Sequence, residues 1–191
     1  MSPGGHLLTT AAVCAATQAT TGSWSLTAAV AVGGVLIDVD HALDYVLFER
    51  QRRLTPSAFL RHYVEGRTQR VVLALHSYEL FAALLVAGWW TQSVLLRGYL
   101  VGALMHLALD VVWNGRLTPR SIAAFYSFSY RAAHRFDSTA LLGTPSFAPA
   151  GRFWSAFFRG ARLAKPPAPA PIEESDPVPL PGSRPLANLP S

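Results

Sequence analysis

For 31 positions, from Leu7 to Ile37, the chain carries no charged side chain, and the run is interrupted midway by the small polar residues Thr20-Thr21-Gly22-Ser23. An uncharged, largely apolar stretch of that length has to be buried in protein or in lipid. The polar interruption marks a turn. It leaves two helical pieces of about 14 residues, near 7–20 and 24–37, each short of the roughly 20 residues that cross a hydrocarbon core. The pattern predicts a re-entrant or tilted helical hairpin, with a buried hairpin in a soluble core as the alternative. A secretory signal peptide is not expected, since Met1 to His6 holds no Lys or Arg.

A second apolar region, Val71 to Trp113, breaks at Thr91-Gln92-Ser93, just behind Trp89-Trp90. Splitting it there predicts helices over 71–90 and 94–114, each of spanning length. The tryptophans suit a membrane interface, and Arg97 is near enough to it to snorkel. Composition agrees: 51% of residues are hydrophobic and 14% charged, against about 25% charged in soluble domains. The net charge of +5 comes almost wholly from Arg, with none before Arg50, six in 50–70 and most of the rest from Arg116 onward. Arg clusters that alternate with apolar segments read as loops on one side of a membrane, and the positive-inside rule puts the open hairpin ends in the cytoplasm. Membrane lipid is the expected partner. No nucleic acid is expected, because the basic residues are not strung along one face among aromatics. Cys14 is the only cysteine and excludes a disulfide scaffold. Nine of the 14 prolines lie between Pro166 and Pro190, so residues 1–163 are the foldable domain and 164–191 a disordered Pro-rich tail. The fold class expected is all-α, a membrane-associated helical bundle of two helical hairpins plus amphipathic C-terminal helices.

Ionisable groups inside apolar segments are costly and need a partner or a task. Four groups stand out: His6; Asp38, Asp40 and His41; His76 with Glu79; His106 with Asp110. On helices, His76/Glu79 and His106/Asp110 would each share a face, with Asn114 one turn further along. Imidazole and carboxylate are the usual ligands of Zn²⁺ and related ions. Folding each hairpin about its turn brings the groups to one depth. His6 and Asp38 are both 16 residues from Gly22, while His76 and Asp110 are both 17 from Ser93. Four groups from four helices thus converge in one layer at the Arg-rich end. His62 with Glu65 and His134 with Asp137 lie in Arg-rich segments and read as solvated surface pairs.

In order along the chain, Gly5-His6, Asp38-Val39-Asp40-His41, His76-Ser77-Tyr78-Glu79 and Gly102-Ala103-Leu104-Met105-His106 leading to Asp110 resemble the motifs of the LexA-binding, inner-membrane-associated metal-dependent hydrolase family (YdjM-like). The match covers roughly residues 4–135. Ile37 stands where that family often has Pro, and His76/Glu79 where many members carry two histidines. The resemblance implies an α-helical membrane-associated hydrolase, distantly similar to zinc-dependent phospholipase C, in which a multinuclear metal centre works on phosphate esters.

Eight candidate ligands (His6, Asp38, Asp40, His41, His76, Glu79, His106 and Asp110) exceed the needs of one four-coordinate ion, so one or two divalent ions are expected, zinc first and manganese as another choice. Paired ions about 3.5–4 Å apart can activate a water and stabilise both oxygens of a phosphoryl displacement. Asp40 or Asp110 is placed to bridge them, Asp40 and Glu79 are the catalytic candidates with Glu79 as general base, and Asp44 is a candidate to hold a ligand imidazole. A membrane-face site suits a phospholipid or lipid-linked phosphate substrate. The rival reading is a non-enzymatic membrane protein whose His/Asp/Glu cluster holds a structural metal or handles ions. The polar layer is one-sided, which favours a site over a transport path. Residues 121–136 are expected as an amphipathic lid helix in which Tyr130 and Arg131 meet an anionic group. Residues 152–159 are expected either to lie in the membrane interface or to pack aromatics on the bundle.

Overall fold

The computed structural model describes residues 1–165, and from residue 166 onward the expected Pro-rich tail lies outside the described residues. Among the described residues the fold is all-α, with only two isolated β-bridges. Helices α1 (Pro3–Thr21) and α2 (Trp24–Val35) form the first hairpin, and α5 (Tyr78–Thr91) and α6 (Val94–Asn114) the second. Between them lie α3 (Val39–Leu43) and α4 (Pro56–Val64); after them come α7 (Ile122–Phe125), α8 (Phe128–Ala133), α9 (Ser138–Leu142) and α10 (Phe153–Arg159). Serine starts both helices that follow the tight turns: Ser23 and Ser93 accept from the amides of Leu26 and Leu96 at 3.3 Å, satisfying a backbone N–H that the helix leaves free.

Glycines decide how the two hairpins meet. On α6, a Cβ at Gly98 would stand 2.7 Å from Leu26 O, and one at Gly102 would stand 2.7 Å from Gly34 N. Gly98 and Gly102 are four apart, so they present one bare stripe on which the α2 backbone rests. Leu26 meets Gly98 and Gly34 meets Gly102 in the same order along both chains, so α2 and α6 run parallel and both hairpin turns lie at one end. Trp24, Trp89 and Trp90 sit beside those turns, 75%, 79% and 85% exposed. Ile37, Leu100, Ala103 and Leu107 carry this contact into the main core with Phe81, Val71, Leu73, Phe125, Tyr126 and Leu141.

Two expected boundaries move. The apolar run does not stop at residue 37: the chain stays helical from Trp24 to Phe48, 25 residues, tightening to 3-10 geometry at Leu36–Asp38 and widening to π geometry at Asp44–Phe48. This stretch and Val94–Asn114 are both long and apolar enough to cross a membrane. The second hairpin shortens instead. Residues 71–77 are irregular and α5 begins at Tyr78, leaving 14 helical residues, too few to span where 71–90 had been expected to. The lid expected as one helix over 121–136 is broken into α7 and α8 at Tyr126–Ser127.

Candidate metal centre

His106 is set by helix geometry alone. The bare stripe on α6 lets α2 approach until His106 Nδ1 donates to Gly34 O at 2.9 Å, and Thr10 of α1 donates to the same carbonyl at 3.1 Å. Immediately after Gly34 the chain tightens into its 3-10 turn, which carries Asp38 to the same layer. A carbonyl can only accept, so His106 keeps its proton on Nδ1 and points the Nε2 lone pair inward.

His76 is set by side chains gripping a loop. Asp40 accepts from the amides of Leu75 (2.9 Å) and His76 (3.2 Å) and from His76 Nδ1 (3.0 Å). Asp44 accepts from the amides of Val72 and Leu73 at 2.7 and 3.1 Å. Arg131 closes the other side, donating to Val72 O, Leu73 O, His76 O and Phe125 O at 2.7–3.1 Å. It is fully buried, with its donors spent on carbonyls rather than a carboxylate. Because a carboxylate accepts from His76 Nδ1, the Nε2 lone pair of this ring also points inward.

The inward atoms meet. His76 Nε2 and His106 Nε2 are 3.3 Å apart. Asp38 Oδ1 is 3.5 Å from the first and 3.3 Å from the second; Asp110 Oδ2 is 3.9 and 3.5 Å from them. Four electron-rich atoms converge, which is unfavourable unless a cation sits among them. In the metal-free protein that cation is a proton: burial alone would lower the His76 pKa, but the bonds to Asp38 and Asp40 raise it from 6.5 to about 9. Tetrahedral ligands about 2.0–2.1 Å from a zinc ion stand roughly 3.3 Å from one another, close to the separations found here. The residues present therefore fit a divalent ion.

His6 and His41 flank this set. His6 stacks on His106 with ring centroids 3.6 Å apart and meets Asp110 Oδ1 at 3.0 Å. His41 Nε2 lies 3.7 Å from Asp38 Oδ1. The Nδ1 atoms of both rings are buried with no hydrogen-bond partner. Possible three-residue metal groups are His6/His106/Asp110, Asp38/His76/His106 and Asp40/His41/His76. A cavity of about 560 Å³ opens against His6, Asp38, His41, Asp110 and Asn114.

Seven of the eight candidate residues are thus brought together, and Glu79 is not. With α5 starting at Tyr78, Glu79 turns away and accepts from Ser127 Oγ (2.7 Å) and the amides of Phe128 (2.8 Å) and Ser129 (2.9 Å). Against a desolvation that would raise its pKa, these bonds hold its carboxyl at about 2. Asp40 stands behind His76, and Asp44 holds amides rather than an imidazole. His62 is buried, not solvated, and faces Glu49 at 3.4 Å while Glu65 pairs with Arg67; His134 bonds to Tyr130 O, and Asp137 caps α9. Arg131 is a buried staple, not a contact for an anion. The sequence pointed it at an anion, and nothing local showed that its partners would be backbone carbonyls. In α10, Phe153 and Phe157 pack against Leu60 and Val64 while Trp154 and Phe158 stay exposed.

The structure defines an all-α bundle with His/Asp groups geometrically able to bind a metal ion and two helices apolar enough to cross a membrane. Comparisons with protein-family models, curated proteins and solved structures find no match for the chain.

Proposed function

We propose that the protein is a membrane-bound, metal-dependent hydrolase that cleaves a phosphate ester, lipid or lipid-linked, at the cytoplasmic, Arg-rich face of the inner membrane. The convergence of His76 Nε2, His106 Nε2, Asp38 Oδ1 and Asp110 Oδ2 beside a cavity carries the reading. The resemblance of the ordered motifs to those of the YdjM-like hydrolases supports it. Zinc is the ion that this imidazole and carboxylate set suits best. When bound, such an ion supplies Lewis acidity and a water of lowered pKa.

The protein's own groups divide the remaining work. Asp40 and the Gly34 carbonyl fix the tautomers of His76 and His106. Asp38 and Asp110 face the cavity and can orient a water toward the phosphorus. His41 also lines the cavity, with Nε2 3.7 Å from Asp38 Oδ1, and can take the water's proton. Hydrolysis then forms the new P–O bond from water and breaks the ester P–O bond, with a proton returned to the leaving alcohol. Glu79, tied to α8, has no part in this scheme.

Elemental mass spectrometry on detergent-purified protein tests the reading, with Asp38→Asn and His106→Ala beside the wild type. One or two equivalents of zinc or manganese in the wild type, lost in both variants, is the expected result. Hydrolysis of a lipid phosphate in mixed micelles should then stop with a chelator and return with zinc. Absence of metal in folded wild type overturns the reading. Metal without turnover leaves a structural ion.

A further inference from the structure

The metal cluster occupies only one end of the cavity. The rest of the wall includes Phe59, Leu73, Ile122, Phe125, Leu142 and Phe147, drawn from α4, the 71–77 segment, α7, and α9 with the stretch after it. Among the described residues, no Lys or Arg lines it. Its volume of about 560 Å³ lies within the roughly 300–1,000 Å³ of pockets that enclose small molecules. The wall is mostly apolar, with hydroxyls of Thr118, Ser138 and Thr139 among its lining; water gains little along such a wall, and wall atoms without neighbours forfeit their dispersion contacts. Such a wall is stabilised by a hydrocarbon that fills it. The polar end holds Asp38 and Asp110 beside His6, His41 and the Met1 ammonium, which pairs with Asp110.

We propose that this cavity binds one hydrocarbon chain of a membrane amphiphile, the chain lying along Phe59, Ile122, Leu142 and Phe147 and the head group against Asp38, His41 and Asp110. The chain half of the proposal stands on the cavity alone; the head-group half rests on the metal reading. Asp110 already pairs with the Met1 ammonium and Asp38 lies among the imidazoles of His41, His76 and His106, so without a metal this end selects neither an anionic nor a cationic head. A divalent ion at the cluster adds the positive charge that favours phosphate, since no Lys or Arg lines the cavity.

The test is photo-crosslinking of the full chain in nanodiscs with two probes, each carrying a mid-chain diazirine: hexadecyl phosphate and hexadecyl trimethylammonium. Adducts are mapped by peptide mass spectrometry. With zinc, the phosphate probe should label Ile122, Leu142 or Phe147, and unlabelled hexadecyl phosphate should compete about tenfold better than octyl phosphate. Leu142→Trp, which fills the chamber, and Thr144→Trp, which obstructs its exposed rim, should each reduce those adducts without changing metal content. Adducts confined to exposed helix faces such as Leu85, Val86 and Val101, or competition indifferent to chain length, overturn the proposal. Chelation should remove the preference for the phosphate probe. Cavity labelling that ignores the chelator in protein shown to bind zinc overturns the head-group half, while the chain site and the metal reading stand.

Discussion

His106 and His76 lie at one point but are held by opposite means. The α2/α6 crossing that positions His106 is regular helix on regular helix, with Gly98 and Gly102 letting the backbones touch. The segment that positions His76 has no regular structure and is fixed by Asp40, Asp44 and the buried Arg131 acting on its amides and carbonyls. In the first region the backbone places the ligand; in the second, side chains from remote parts of the chain place the backbone. A site built both ways combines the stiffness of a helix pair with a loop whose position is adjustable through three side chains.

The strongest way to break the helix half is Gly102→Val. The added side chain meets the α2 backbone, which cannot rotate aside, so thermal melts should show a loss of about 3 kcal/mol or more, with metal lost as well. Arg131→Met attacks the loop half. It leaves buried carbonyls unpaired, and a destabilisation of about 2–3 kcal/mol is expected in chemical denaturation. Asp40→Asn is milder and more selective: the fold should persist while metal affinity, read by competition with a chromogenic chelator, falls about 10–100-fold.

Acidity sharpens the comparison. In metal-free protein the His76 pKa is raised from 6.5 to about 9, so its contribution to stability is complete below pH 6.5 and is lost as pH rises through about 9. Melting temperatures of chelated protein should fall across that window, and those of metal-loaded protein should not. The smallest effect belongs to Glu79→Gln, which loosens the start of α8 by about 1 kcal/mol. With its pKa lowered from 4.5 to about 2, Glu79 adds stability above pH 4.5 that is lost as pH falls toward 2. Metal content should be unchanged, whereas a ligand at that position would lose it.

The hairpins, their turns and the depth of the polar layer were legible because they depend on short-range patterns: uncharged runs, a serine or glycine at each break, and ionisable groups spaced symmetrically about the turns. The same arithmetic misplaced Glu79. Its three-residue spacing from His76 has meaning only on a helix, and the helix begins between them, at Tyr78.

The sequence by itself therefore determined the all-α class, the two hairpins and seven of the residues that gather at the cluster, since apolar periodicity and costly buried charges act locally. Only the tertiary structure decided that α2 and α6 touch backbone to backbone at Gly98 and Gly102, that the helix continues to Phe48, that Asp40 backs His76, and that Arg131 is a buried clamp. Those outcomes depend on close approach and on hydrogen bonds between residues far apart in the chain, as with Arg131 and Leu73, and no local pattern encodes which distant carbonyl a guanidinium will find.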